Sequence, residues 1–184
     1  MTAAAPFVVG VAGWKNAGKT TLVTRLVAEL TNRGYRVAAI KHSHHPIDTE
    51  RDGTDSARHR EAGARAVAVL SPAGWGVVGP TREITRDPDP APPLAAVVAR
   101  LAPADIVIVE GLKRAAIPKI EVRRDGQEPG APLAPNDNSV FAIATDSVVR
   151  DDTTIPVYAS DDMRGLTDAL LRQGDLPMRK DPTS

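Results

Sequence analysis

Residues 7–20 read Phe7-Val8-Val9-Gly10-Val11-Ala12-Gly13-Trp14-Lys15-Asn16-Ala17-Gly18-Lys19-Thr20. An apolar strand pattern runs straight into the spacing G-x-x-x-x-G-K-[ST]. A helix pattern follows it, which is the setting a phosphate-cradling loop requires. Glycines let such a loop wrap closely, so that its backbone N–H groups turn inward toward phosphate oxygens. Within it, Gly13, Trp14, Lys15, Asn16, Ala17, Gly18, Lys19, Thr20 and Thr21 are the candidate nucleotide-binding residues. Lys19 is placed to reach β- and γ-phosphates, and Thr20 to set its hydroxyl on Mg2+. The helix that starts near Lys19 aims its positive end at the same anion. The stretch implies binding of a nucleoside triphosphate.

Downstream, Leu22, Val23, Leu26, Val27 and Leu30 recur at helical spacing and Gly34 is a natural stop. Residues 35–40 then read as a strand, giving a strand–loop–helix–strand unit of right-handed βαβ type. Residues 54–62 read as a short helix capped by Thr54 or Asp55 and closed by Gly63. Residues 66–70 form a buried strand, and residues 75–78 and 81–85 a hairpin. A Pro-rich tract from Asp87 leads into a helix with Leu94, Val97, Val98 and Leu101 on one face. The run Asp105-Ile106-Val107-Ile108-Val109 has the unbroken apolarity of a central parallel strand. Strands over 119–122 and 140–144 follow, then an edge strand over 155–159 whose Pro156 cannot donate to a ladder. Ser160 caps a last helix. Alternating strands and helices predict an α/β, three-layer P-loop NTPase fold with a mostly parallel central sheet and a small β-hairpin insertion. One domain over 1–174 is expected, with a disordered tail over 175–184.

Bulk properties narrow the function classes. Over 184 residues, 23 Lys plus Arg balance 23 Asp plus Glu, which gives no electrostatic case for nucleic acid or an anionic membrane surface. Cysteine is absent, which excludes disulfides and thiolate metal sites. No apolar run approaches a membrane span, and the first residues lack a signal-peptide pattern. A soluble cytoplasmic protein is expected.

Three further constellations carry chemistry. Glu110 ends the strand that begins near Asp105, where a phosphate-loop protein places its second acidic group; it is expected to act on Mg2+ directly or through a water. Asp105, at the opposite edge, reads as structural. Lys41-His42-Ser43-His44-His45-Pro46-Ile47-Asp48 follows the second strand onto the edge of the phosphate loop. It could ligate a transition metal, border the γ-phosphate with Asp48 on Mg2+ or its waters and Lys41 on an anion, or remain a solvated loop. In Asp55-Ser56-Ala57-Arg58-His59-Arg60, the planar forks of Arg58 and Arg60 suit phosphate, and an exposed charged helix would look the same. Base recognition has no N-K-x-D. Thr145-Asp146 occupies a suitable place after a late strand, with Asn136, Asp137 and Asn138 as an alternative set, and turn chemistry explains all of them equally.

Taken together, Gly13–Thr21, Ile40–His45, Asp55–Ala64, Glu110-Gly111-Leu112-Lys113 and Pro118–Val122 resemble the molybdopterin-guanine dinucleotide biosynthesis protein B (MobB) family across about residues 7–160. The resemblance implies a homodimeric GTP-binding accessory protein with weak GTPase activity. It would assist a MobA-type nucleotidyltransferase that attaches GMP to molybdopterin. Lys15-Asn16-Ala17 departs from the small, Ser-rich loop interior of such proteins, and guanine specificity rests on the family alone. Competing readings are a small-molecule kinase, for which no arginine-rich lid is visible between residues 115 and 150, and a nickel- or zinc-handling maturation GTPase using His42, His44 and His45.

Overall fold

The computed structural model describes residues 5–43, 55–72, 74–79, 84–87, 92–124, 131–149 and 153–179. Nine strands form one sheet in the order β5-β4-β3-β2-β6-β1-β7-β8-β9. They are β1 (Phe7–Gly13), β2 (Val37–His42), β3 (Val67–Ser71), β4 (Gly74–Val78), β5 (Ile84–Asp87), β6 (Ile106–Glu110), β7 (Lys119–Arg123), β8 (Val140–Thr145) and β9 (Val157–Ala159). From β3 to β9 through the centre every pairing is parallel; β4 and β5 add antiparallel at one edge. The helices are α1 (Lys19–Asn32), α2 (Asp55–Glu61), α3 (Leu94–Arg100) and α4 (Met163–Gln173).

Central strands are buried on both faces, and their alternation sorts side chains into two cores. Val9, Val11, Val37, Ala39, Ile106 and Ile108 pack with Leu22, Leu26 and Leu30 of α1 and Leu166 and Leu170 of α4. Ala38, Ile40, Val107 and Val109 pack with Val97, Val98 and Leu101 on the other side. The three-layer fold expected from the sequence is therefore present. Burying each Leu of α1 contributes about 2 kcal/mol, far more than helix propensity.

β6 lies between β1 and β2, so the βαβ unit crosses over an intervening strand. The expected hairpin is present: β4 pairs antiparallel with β5 and also with β3, so both strands extend the main sheet. Two details differ from expectation. Asp162, not Ser160, caps α4 by accepting a bond from Gly165 N at 2.9 Å; Ser160 donates instead to Asp146. Residues 175–179, assigned to a disordered tail, pack back on the body. Leu176 joins the α1 core, the Pro177 carbonyl accepts from the Tyr35 hydroxyl, and the Arg179 guanidinium stacks 4.4 Å from the Tyr35 ring. An aromatic platform next to the helix stop at Gly34 is what catches this segment. Residues 180–184 lie outside the described residues.

Ion pairs fix the amino-terminal edge of the sheet. Asp105 takes the Arg36 guanidinium at 2.6 Å and the Arg36 N–H at 2.8 Å, tying β6 to β2, with Arg179 at 3.8 Å. Buried Lys119 donates to Asp137 at 2.9 Å and to the Ser139 hydroxyl, tying β7 to β8. Asp105 thus has the structural role read from its position.

Candidate functional site: a carboxylate under the phosphate loop

β1 delivers the loop at the carboxyl-terminal edge of the sheet. At Gly13 a Cβ would stand 2.5 Å from the Val122 carbonyl oxygen, so only glycine lets β1 turn this close to β7. Asn16 has φ 64°, and Gly18, at φ 91°, opens α1 with no side-chain cap. The first N–H groups of the helix thus face the loop. The Lys19 ammonium crosses the mouth and donates to the Trp14 carbonyl at 2.6 Å. Burial lowers its pKa, Glu110 opposes that, and the charges of Lys41 and Lys113 add to the lowering. A lysine short of counter-charge in a loop of N–H donors can receive an anion there.

Strand alternation places the second half of the site. In β2, Val37 and Ala39 face α1, so Lys41 does too; in β6, Ile106 and Ile108 face α1, so Glu110 does too. The register pairs Lys41 directly with Glu110. Glu110 is 1% exposed. One oxygen accepts from the Thr20 hydroxyl at 2.8 Å and from the Lys41 ammonium. The other meets His59 Nε2 at 2.9 Å. Burial alone would raise the Glu110 carboxyl; the hydrogen bonds from His59, Lys41 and Thr20 and the Lys41 charge outweigh it and hold the group at about 2. An ionised carboxylate can only accept, so His59 carries its proton on Nε2. His59 is completely buried, and among the described residues its Nδ1 has no hydrogen-bond partner. Lys41 also reaches Asp55 at 2.6 Å. Burial would lower Lys41, but Glu110 and Asp55 together raise it.

The residues named from sequence separate accordingly. Lys19, Thr20, Lys41 and Glu110 come together. Helix α2 turns His59 inward onto Glu110 and leaves Arg58 exposed. His42 falls on the opposite face of β2, in a cleft of about 470 Å3 with Leu70, Ser71, Pro72, Pro92, Leu94 and Leu112. Thr145 ends β8 and accepts from Ser147 N at 3.0 Å, while Asp146 is exposed and takes the Ser160 hydroxyl. Asp137 is committed to Lys119 and Ser139 at the other end of the sheet, which removes it from the base-reading set. Asp48, His44 and His45 lie outside the described residues, among which no cluster of three or more metal-ligating side chains occurs. No helix among the described residues is long and apolar enough to cross a membrane.

His59 and Asp55 are the members that sequence reasoning did not place. A signal was present: Ser56 and His59 are one turn apart, Ala57 sits beside them, and all three are buried. Small residues on one side of a charged helix mark its inward face.

The chain has relatives among known proteins. The profile described as "Molybdopterin guanine dinucleotide synthesis protein B" matches residues 8–146. A molybdopterin-guanine dinucleotide biosynthesis adapter protein of Haemophilus influenzae is 38% identical over 149 residues, covering 80% of this chain and 79% of that one. The Escherichia coli protein of the same description is 34% identical over 160 residues, covering 85% and 87%. Among solved structures, a MobB homolog from Bacillus stearothermophilus superposes with TM-score 0.56 at 23% identity, covering 91% of this chain and 97% of that one. HypB from Helicobacter pylori, solved with nickel, does so with TM-score 0.54 at 12% identity, covering 96% and 90%, a likeness of fold alone. With the profile spanning most of the chain and both sequence relatives matched over most of their length, the chain belongs to the molybdopterin guanine dinucleotide synthesis protein B family.

Proposed function

We propose that this chain is a cytoplasmic, homodimeric GTP-binding adapter with slow GTPase activity in molybdopterin guanine dinucleotide biosynthesis. In that role it assists a MobA-type nucleotidyltransferase that joins GMP to molybdopterin. The observation that carries the nucleotide half of this reading is the bond from Thr20 to Glu110 beneath the phosphate loop. The Thr20 hydroxyl gives its proton to Glu110, which leaves the oxygen lone pairs for a hard cation. Thr20 would therefore hold Mg2+, with Glu110 orienting that hydroxyl and Lys41 and His59 fixing Glu110. When bound, Mg2+ neutralises charge on the β- and γ-phosphates. The base would lie toward the loop after β8, near Thr145 and Asp146.

Slow turnover fits the same contacts. Each Glu110 oxygen already has a donor, so the carboxylate is poorly placed to take a proton from an attacking water. Calorimetric titration of GTP and ATP with Mg2+ tests the reading, run with and without molybdopterin. GTP binding that is lost in Lys19→Ala supports it. Equal binding of GTP by wild type and Lys19→Ala refutes the site, and phosphoryl transfer to a metabolite faster than hydrolysis refutes the adapter role.

A further inference from the structure

Glu110 is followed by a turn in which Gly111 (φ 94°) and Leu112 (φ 49°) both lie in the left-handed region. A leucine is strained there, and the surrounding structure must impose that conformation. The turn sends Leu112 into the cleft beside His42. It brings Lys113 back over the phosphate loop, with Nζ 3.6 Å from the centre of the Trp14 ring. Trp14 itself is tethered, its Nε1 donating to the Ala131 carbonyl at 3.0 Å. One loop residue therefore carries two ammonium groups, Lys19 on its carbonyl and Lys113 on its ring.

Neither resting place is a strong one. An ammonium over a half-buried aromatic ring is held by the ring quadrupole alone. Charge-assisted bonds to phosphate oxygens are shorter and stronger. Among the described residues no carboxylate pairs with Lys113, whereas Lys41 has two. The cation thus stands at the loop, three residues beyond Glu110, without the neutralisation given to its neighbour.

We propose that Lys113 is a second triphosphate-binding lysine, parked on Trp14 in the ligand-free protein and drawn onto the γ-phosphate when a triphosphate fills the loop. This rests on the reading that the loop binds GTP. Lys19 serves the β-phosphate of either nucleotide, while Lys113 has a partner only in the triphosphate. Lys113 therefore separates GTP from GDP and supplies positive charge to the γ-phosphate in cis. A lysine that merely braced the loop would shift both affinities together.

The experiment titrates the full chain with GDP and with a non-hydrolysable GTP analogue, both with Mg2+, reading affinity and tryptophan fluorescence. In wild type the triphosphate changes emission more than GDP does, and Trp14→Phe erases that difference. Lys113→Ala lowers the ratio of triphosphate to GDP affinity about tenfold, the scale of one hydrogen bond to a charged group. Lys113→Arg, which keeps the cation, restores most of it. A wild-type ratio and an intact fluorescence difference in Lys113→Ala overturn the role of Lys113 and leave the GTP reading standing. A wild-type protein that binds neither nucleotide overturns both.

Discussion

Thr20 and Glu110, ninety residues apart in the chain, meet in a 2.8 Å hydrogen bond that joins the first turn of α1 to the end of β6. The phosphate loop and the second acidic group are thus one unit before any ligand arrives. Altering either residue should be felt at the other.

Glu110→Gln removes the negative charge that Lys41 and His59 were arranged around. Breaking one partner of a buried pair leaves an uncompensated charge and costs about 3–5 kcal/mol. Urea denaturation at neutral pH should show that loss, eased to the extent that Asp55 still holds Lys41. A variant as stable as wild type would mean that Lys41 finds full compensation elsewhere.

Acid should undo the same contacts. Glu110 titrates at about 2 in the folded chain against an ordinary 4.5. Between these values the unfolded chain binds more protons, so stability rises with pH across that interval. The contribution, on the order of 3 kcal/mol, is fully present above about 4.5 and is lost as pH falls toward 2. Stability measured from pH 6 down to pH 2 should fall less steeply in Glu110→Gln than in wild type.

His59→Ala opens a cavity in a completely buried position and strips one donor from Glu110. A loss of about 2–4 kcal/mol follows from the cavity and the unsatisfied oxygen together. His59→Asn, which can still donate, should recover part of it. Thermal denaturation of the two variants gives the comparison, and equal losses would show that packing alone is at stake.

Lys19→Ala should weaken GTP binding by about a hundredfold or more, since charged contacts to two phosphates disappear. It should not reduce the stability of the ligand-free protein, because Lys19 is held with its pKa lowered. Thermal scans with and without GTP separate the two effects.

Removing residues 175–184 should lower the melting temperature by several degrees, the equivalent of about 1–2 kcal/mol in a chain of this size. The Pro177 and Arg179 contacts to Tyr35 and the packing of Leu176 are lost together. An unchanged melting temperature would show that this segment rests on the body without stabilising it.

Much of the fold was legible because it is written in local patterns. The spacing from Gly13 to Thr20, the unbroken apolar run of residues 106–109 and the 3.6-residue period of α1 each specify an element without help from distant residues. What escaped depends on partners far along the chain. The partner of His59 is a carboxylate 51 positions away; Ser56 and Ala57 mark the inward face of its helix but not the group met there. The destination of His42 follows from which face of β2 meets α1, a fact of packing. Residues 175–179 have no period at all; Tyr35, 142 positions before Pro177, and the α1 core give them a place.

The ion pairs at the amino-terminal edge of the sheet have a practical consequence. Arg36, Asp105 and Arg179 gather at the end of the strands opposite the phosphate loop. A fluorophore or surface tether attached close to Arg179 would therefore stand a full strand length from the phosphate loop. Immobilised that way, the molecule offers its whole ligand-binding rim to solution, and single-molecule recordings of its encounters with nucleotide and protein become feasible without masking the site.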